Sequence, residues 1–117
     1  MRPTSTNYFL YARKSSDVED KQITSIDAQI FELREFAARE QLTIIDELVE
    51  KQSAKIPGRP IFNDMLDRIE AGEAAGILSW HPDRLARNCV DGGCLIYLLD
   101  TGKLTALKFP GTFWFEM

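Results

Sequence analysis

A chain of 117 residues, 44% hydrophobic and 27% charged, has the size and composition of one domain with a real core. No apolar run approaches the ~18 residues of a membrane span, and Met1–Asn7 lacks the apolar stretch of a secretory signal, which places the protein in the cytoplasm. The net charge of −4 argues against a free-standing nucleic-acid-binding module, and permits a catalytic domain whose grip on DNA is supplied by another part of a longer protein.

Tyr8–Arg13 is an apolar, aromatic run and reads as a buried strand. Lys14–Lys21 is polar and aperiodic, hence a loop. Thr24 followed by Asp27 has the form of a capping box. Ile26, Ile30, Leu33 and Ala37 then share one helical face, with Phe36 at its edge, in a helix expected to run to about Glu40. Leu42–Val49 is a second strand candidate, and Glu50–Arg59, which holds Ser53, Pro57 and Gly58, reads as a loop. Pro60 suits the first turn of a helix with Phe62, Met65, Leu66 and Ile69 on its apolar face, and Gly72 suits its stop. Gly76–Trp80 is a third strand, and His81–Asn88 opens with a helix breaker. Cys94–Leu99 is apolar almost all round and predicts a buried helix ending near Gly102. Thr105–Phe109 is a fourth strand, and Phe113–Phe115 a short further one. Strands alternating with helices predict an α/β fold around a largely parallel sheet of four to five strands.

Right-handed crossovers gather the strand C-terminal ends along one edge, where the active sites of open α/β sheets lie. Arg13 and Ser15 follow the first strand, Ser53 and Arg59 the second, and Asp83, Arg84 and Arg87 the third. Four arginines and two serines on one edge fit a phosphate, because guanidinium forks match phosphate oxygens in charge and geometry. They also suit a phosphodiester under attack, whose transition state gathers negative charge. Many phosphoryl-transfer enzymes use metal ions for that task. Here Asp17, Glu19 and Asp20 lie in one loop with no partner cluster and read as a solvated loop rather than a metal site. Cys89 and Cys94 have neither CxxC nor zinc-ligand spacing and read as reduced thiols packed in or near a helix. His81, the only histidine, cannot build a metal site alone.

Tyr11-Ala12-Arg13-Lys14-Ser15 resembles the Y-x-R-x-S motif of the resolvase/invertase family of serine site-specific recombinases. Gln29 stands where that family has a glutamine in its first helix, Ser53 and Arg59 resemble its loop serine and arginine, and Asp83–Arg87 matches its D-R-L-x-R motif. Order and spacing agree from about Tyr8 to Glu116. The resemblance implies the three-layer resolvase fold and a reaction with DNA that uses no metal, nucleotide or other small-molecule cofactor. It implies Ser15 as the nucleophile, with Ser16 as its neighbour and rival; the spacing from Arg13 selects Ser15. Arg13, Arg84 and Arg87 would contact the scissile phosphate or orient the serine, and Arg59 would do likewise from its loop. Asp83 would anchor these arginines or relay a proton. Gln29 would reach back toward the site, and Ser53 would support it with a hydrogen bond. The family also implies self-association to dimers and tetramers in the full-length protein.

Two features depart from the family pattern. His81-Pro82 precedes the D-R-L-x-R motif, and proline restricts the backbone before Asp83. The sequence stops at Met117 with no long helix, basic tail, helix-turn-helix or zinc ribbon. The expectation is one catalytic domain over 1–117, truncated before the dimerisation helix and DNA-binding domain, and inactive alone. The long loop after Lys14 and the WHPDRLARN stretch lean toward large serine recombinases. The alternative is a non-catalytic resolvase-like interaction module. A nucleotide-binding domain ranks lower, because the first strand is not followed by a glycine-rich loop.

Overall fold

The computed structural model describes residues 6–13, 26–50, 58–80, 85–86 and 88–110, and the backbone of 114–116. Its elements in chain order are β1 (Asn7–Arg13), α1 (Ile26–Glu40), β2 (Thr43–Glu50), α2 (Pro60–Glu70), β3 (Gly76–Ser79), α3 (Cys89–Asp100), β4 (Ala106–Lys108) and β5 (Trp114–Glu116). The strands form one sheet in the order β2-β1-β3-β4-β5. The first four are mutually parallel, and β5 pairs with β4 antiparallel. The expected α/β class and mostly parallel sheet are present.

The strand order explains the layers. α1 carries the chain from β1 outward to β2, and α2 brings it back past β1 to β3. Reversing the direction of travel with one crossover hand puts those helices on opposite faces. Two apolar clusters result. Leu33, Phe36 and Ala37 of α1 pack on Tyr8, Leu10, Ala12, Leu78 and Ala106. Phe62, Met65 and Ile69 of α2, with Leu95 and Leu98 of α3, pack on Phe9, Tyr11 and Ile77. β1 faces both clusters, so its residues from Tyr8 onward are all buried and its sequence reads as an unbroken apolar run. Each large apolar side chain taken from water contributes about 1.5–3 kcal/mol, so the clusters outweigh any single polar contact in the fold.

Helix ends follow local chemistry. α2 and α3 stop where Gly72 and Gly102 take φ of +92° and +81°, as the sequence predicts. α1 stops without a glycine: Gln41 takes φ of 59°, and the Leu42 amide donates to the Ala37 carbonyl at 2.9 Å. α3 begins at Cys89, five residues before the predicted start. Asn88 caps it, its side chain accepting from the Asp91 amide at 2.8 Å. Gly92 and Gly93 in the first turns, poor helix formers, hide this start from a reading by apolar pattern. Both cysteines lie on α3 and are exposed. Among the described residues, no helix is long and apolar enough to cross a membrane.

Tyr8 and Gly76 are partners across the β1–β3 pair. A Cβ on Gly76 would lie 2.5 Å from Cε2 of the buried Tyr8 ring. Gly76→Ala should therefore destabilise the protein by about 1–3 kcal/mol through overpacking. A thermal melt matching that of the parent would show that the ring gives way freely.

Candidate functional site

The C-terminal ends of the parallel strands bring polar residues to one edge. Arg13 closes β1, Glu50 closes β2 and Ser79 closes β3, and all three are buried. Arg13 and Glu50 are partners in the β1–β2 register. Gln29, in the first turns of α1, is buried, and its Nε2 donates to the Arg13 carbonyl at 3.4 Å. Ser79 Oγ donates to the Tyr11 carbonyl at 3.0 Å. These bonds fix the exit of β1, from which the segment bearing Ser15 departs.

A second group stands behind that exit. Tyr11 donates its phenol proton to Glu50 Oε1 at 2.8 Å and accepts from Arg59 Nη1 at 2.9 Å. The Glu50 carboxylate also accepts the Ile61 and Phe62 amides, at 3.1 and 2.8 Å, and so caps α2 from the end of β2. Arg59, at the α2 N-cap position, makes no cap bond with its own side chain. Its guanidinium is 1% exposed and lies 4.0 Å from the Phe62 ring centroid. Nη2 donates to the Leu85 carbonyl at 2.6 Å and to Asp91 Oδ2 at 2.9 Å. Asp91 Oδ2 accepts again from Asn88 Nδ2 at 2.8 Å.

Of the residues singled out from the sequence, Arg13, Gln29 and Arg59 are described and share this edge. Arg59 is enclosed and fully engaged there, apart from Nε, which has no hydrogen-bond partner among the described residues. Ser15, Ser53, Asp83, Arg84 and Arg87 lie outside the described residues, as do Lys14–Lys21, Thr24 and the start of the His81–Asn88 turn.

A family model described as the resolvase N-terminal domain matches residues 8–105. The chain belongs to that family. Among solved structures, the resolvase domain is similar to the N-terminal catalytic domain of TP901-1 integrase, with 24% identity and a TM-score of 0.70 over 89% of this chain and 77% of that one. It is similar to a resolvase family site-specific recombinase from Streptococcus pneumoniae, with 22% identity, TM-score 0.66, and 90% and 72% covered. The C-terminal catalytic domain of IS1535 TnpA, an IS607-like serine recombinase, gives 26% identity, TM-score 0.64, and 86% and 68% covered. The comparison with curated proteins found no match. Family and fold together make this a resolvase-type recombinase catalytic domain.

The electrostatics of the resolvase domain follow from burial. Desolvation pushes the Tyr11 phenol far above its ordinary range; Arg59 opposes this, and the bond to Glu50 adds to it. Tyr11 is thus a neutral donor and a core aromatic, edge-on to Phe62 at 5.9 Å. Among the described residues, no group of three or more His, Cys, Asp or Glu side chains is placed to hold a metal. A groove of about 530 Å³ runs between α2 and α3, but Asp67, Glu70, Cys89 and Tyr97 line it and, among the described residues, no cation does. Its charge is wrong for a phosphate, and it shares no residue with the strand-end cluster.

Sequence reading missed Glu50, Asn88 and Asp91. Glu50 reads as the start of the Glu50–Arg59 loop with its Ser53, Pro57 and Gly58, whereas β2 runs through it and its side chain is buried. Asn88 with Asp91 three positions on is a helix-start signal, and it would have revealed the pair.

Proposed function

We propose that this domain cleaves and rejoins DNA through a covalent 5′-phosphoserine at Ser15. Ser15 Oγ attacks the scissile phosphorus, the bond to O3′ breaks, and the 3′ end leaves as a hydroxyl. The serine proton passes to a base, and the departing oxygen takes one up. The phosphodiester is conserved as a phosphoserine ester, so the 3′-hydroxyl reverses the step and rejoins the strand without ATP. Arg13, Arg84 and Arg87 supply fixed positive charge to the phosphate oxygens in place of a metal. Asp83 anchors them or relays a proton, and Ser53 supports the site with a hydrogen bond. Gln29 acts on the β1 exit through the Arg13 carbonyl, and Arg59 acts from behind through its own partners. The reaction takes place in the cytoplasm, on DNA held by dimers and tetramers of the full-length protein.

One observation carries this reading: the segments bearing Y-x-R-x-S, the Ser53–Arg59 loop and D-R-L-x-R leave three adjacent strands, β1, β2 and β3, at one edge. The test uses full-length protein and DNA carrying its site, stopped with detergent in excess EDTA. The expected product is protein joined to a 5′ phosphate, with a free 3′-hydroxyl. Adduct through a 3′ phosphate, or none without added metal, contradicts the proposal.

A further inference from the structure

We infer that Asp91 is a positioning residue for strand transfer, holding two points: the Leu85 carbonyl within the Asp83–Arg87 motif, through Arg59, and Asn88 directly after it. The inference rests on the reading of Arg84 and Arg87 as phosphate ligands.

The first point is the Leu85 carbonyl, in the middle of the motif. Arg59 Nη2 reaches it at 2.6 Å, and the same nitrogen is fixed by Asp91 Oδ2 at 2.9 Å. The second is Asn88, directly after Arg87. Its Nδ2 donates to the same Asp91 oxygen at 2.8 Å, and its Oδ1 accepts the Asp91 amide at 2.8 Å. One carboxylate oxygen therefore joins both anchors. Leu85 itself is 2% exposed and packs in the α2–α3 core, so its side chain is anchored as well as its carbonyl.

A cap for α3 does not require this arrangement. Asn88 alone makes the cap bond, and an exposed acid in the first turn would satisfy the helix dipole equally well. Asp91 is instead buried against a buried guanidinium, and burying an ion pair is weak as a source of stability because desolvation offsets the attraction. What the pair provides is fixed direction. A planar guanidinium held at Asp91, Tyr11 and Leu85 ties β1, the start of α2 and the Leu85 carbonyl together.

The experiment measures covalent adduct formation by full-length protein on DNA carrying its site, as maximal rate and half-saturating DNA concentration. Asp91→Asn keeps size and removes charge; Asn88→Ser keeps a good cap and removes the donor to Asp91. Asp91→Asn should lower the maximal rate about 10- to 100-fold, the cost of a misplacement near 1 Å, with half-saturating DNA changed less than about twofold. Asn88→Ser should lower it in the same direction by a smaller factor. In an Arg87→Lys background the Asp91→Asn effect should shrink to less than about threefold, because both changes act on one element. Unchanged rates in both variants, an effect confined to the DNA concentration, or the full factor in the Arg87→Lys background would overturn the inference. The wild-type protein is read first. A Ser15-linked adduct there upholds the functional reading whatever the variants do, and its absence overturns both.

Discussion

Arg59→Ala should lower the unfolding free energy by about 3–5 kcal/mol, read by urea unfolding at neutral pH. The side chains of Arg59 and Asp91 are 1% and 3% exposed, so the change leaves a carboxylate enclosed without its counter-charge. It also removes the donor to the Leu85 carbonyl, the donor to the Tyr11 oxygen and the cation over Phe62. Each enclosed acceptor left without a donor costs about 1–3 kcal/mol. The double variant Arg59→Met with Asp91→Leu should be more stable than Arg59→Ala, because it buries no lone charge. A loss below about 1 kcal/mol is the signature of an exposed pair and would contradict the enclosed geometry.

The second large effect belongs to Arg13. Arg13→Lys in the full-length protein should slow covalent adduct formation about 10²- to 10³-fold, the range seen when one preorganised donor is lost from a transition state. On the proposed mechanism DNA affinity should change little, since Arg13 would be one phosphate contact among many. Arg13 is wholly buried at the end of β1, and Gln29 holds its carbonyl. A lysine there keeps the charge but loses the planar fork that contacts two oxygens at once. Adduct formed at the parental rate would mean that Arg13 serves only to pair with neighbouring groups in the fold.

Why some of this was readable in the sequence and some was not comes down to range. α1 and α2 stand out because their apolar residues recur with the helix period, and β1 because both its faces are covered and its apolar run is unbroken. The placing of Arg13 and Gln29 at one edge follows from the β1-α1 connection. The enclosure of Arg59 does not, because it depends on Asp91, 32 positions further along the chain. Nothing near Arg59 in the sequence marks it as buried. Glu50 is hidden for the same reason: its partners are Tyr11, 39 positions earlier, and the amides of Ile61 and Phe62. The parallel strands are legible from their alternation with helices, whereas β5 follows β4 by too few residues for a crossover helix and pairs with it antiparallel.

Other surface charge pairs bear little on the account. Arg34 holds Glu47 with two bonds of 2.7 Å, and that bond keeps the Glu47 carboxyl below its usual range. The pair lies on exposed faces of α1 and β2, away from the strand-end cluster.

The identity of the nucleophile is the claim on which the mechanism stands. Full-length protein is allowed to react with DNA carrying its site, denatured, digested with nuclease and protease, and the DNA-linked peptide is sequenced by mass spectrometry. The expected result is a single modified peptide with the nucleotide phosphate on Ser15, and its complete loss in Ser15→Ala while DNA binding is retained. A phosphate on Ser16 or on any other residue, or an adduct that survives Ser15→Ala, would contradict it.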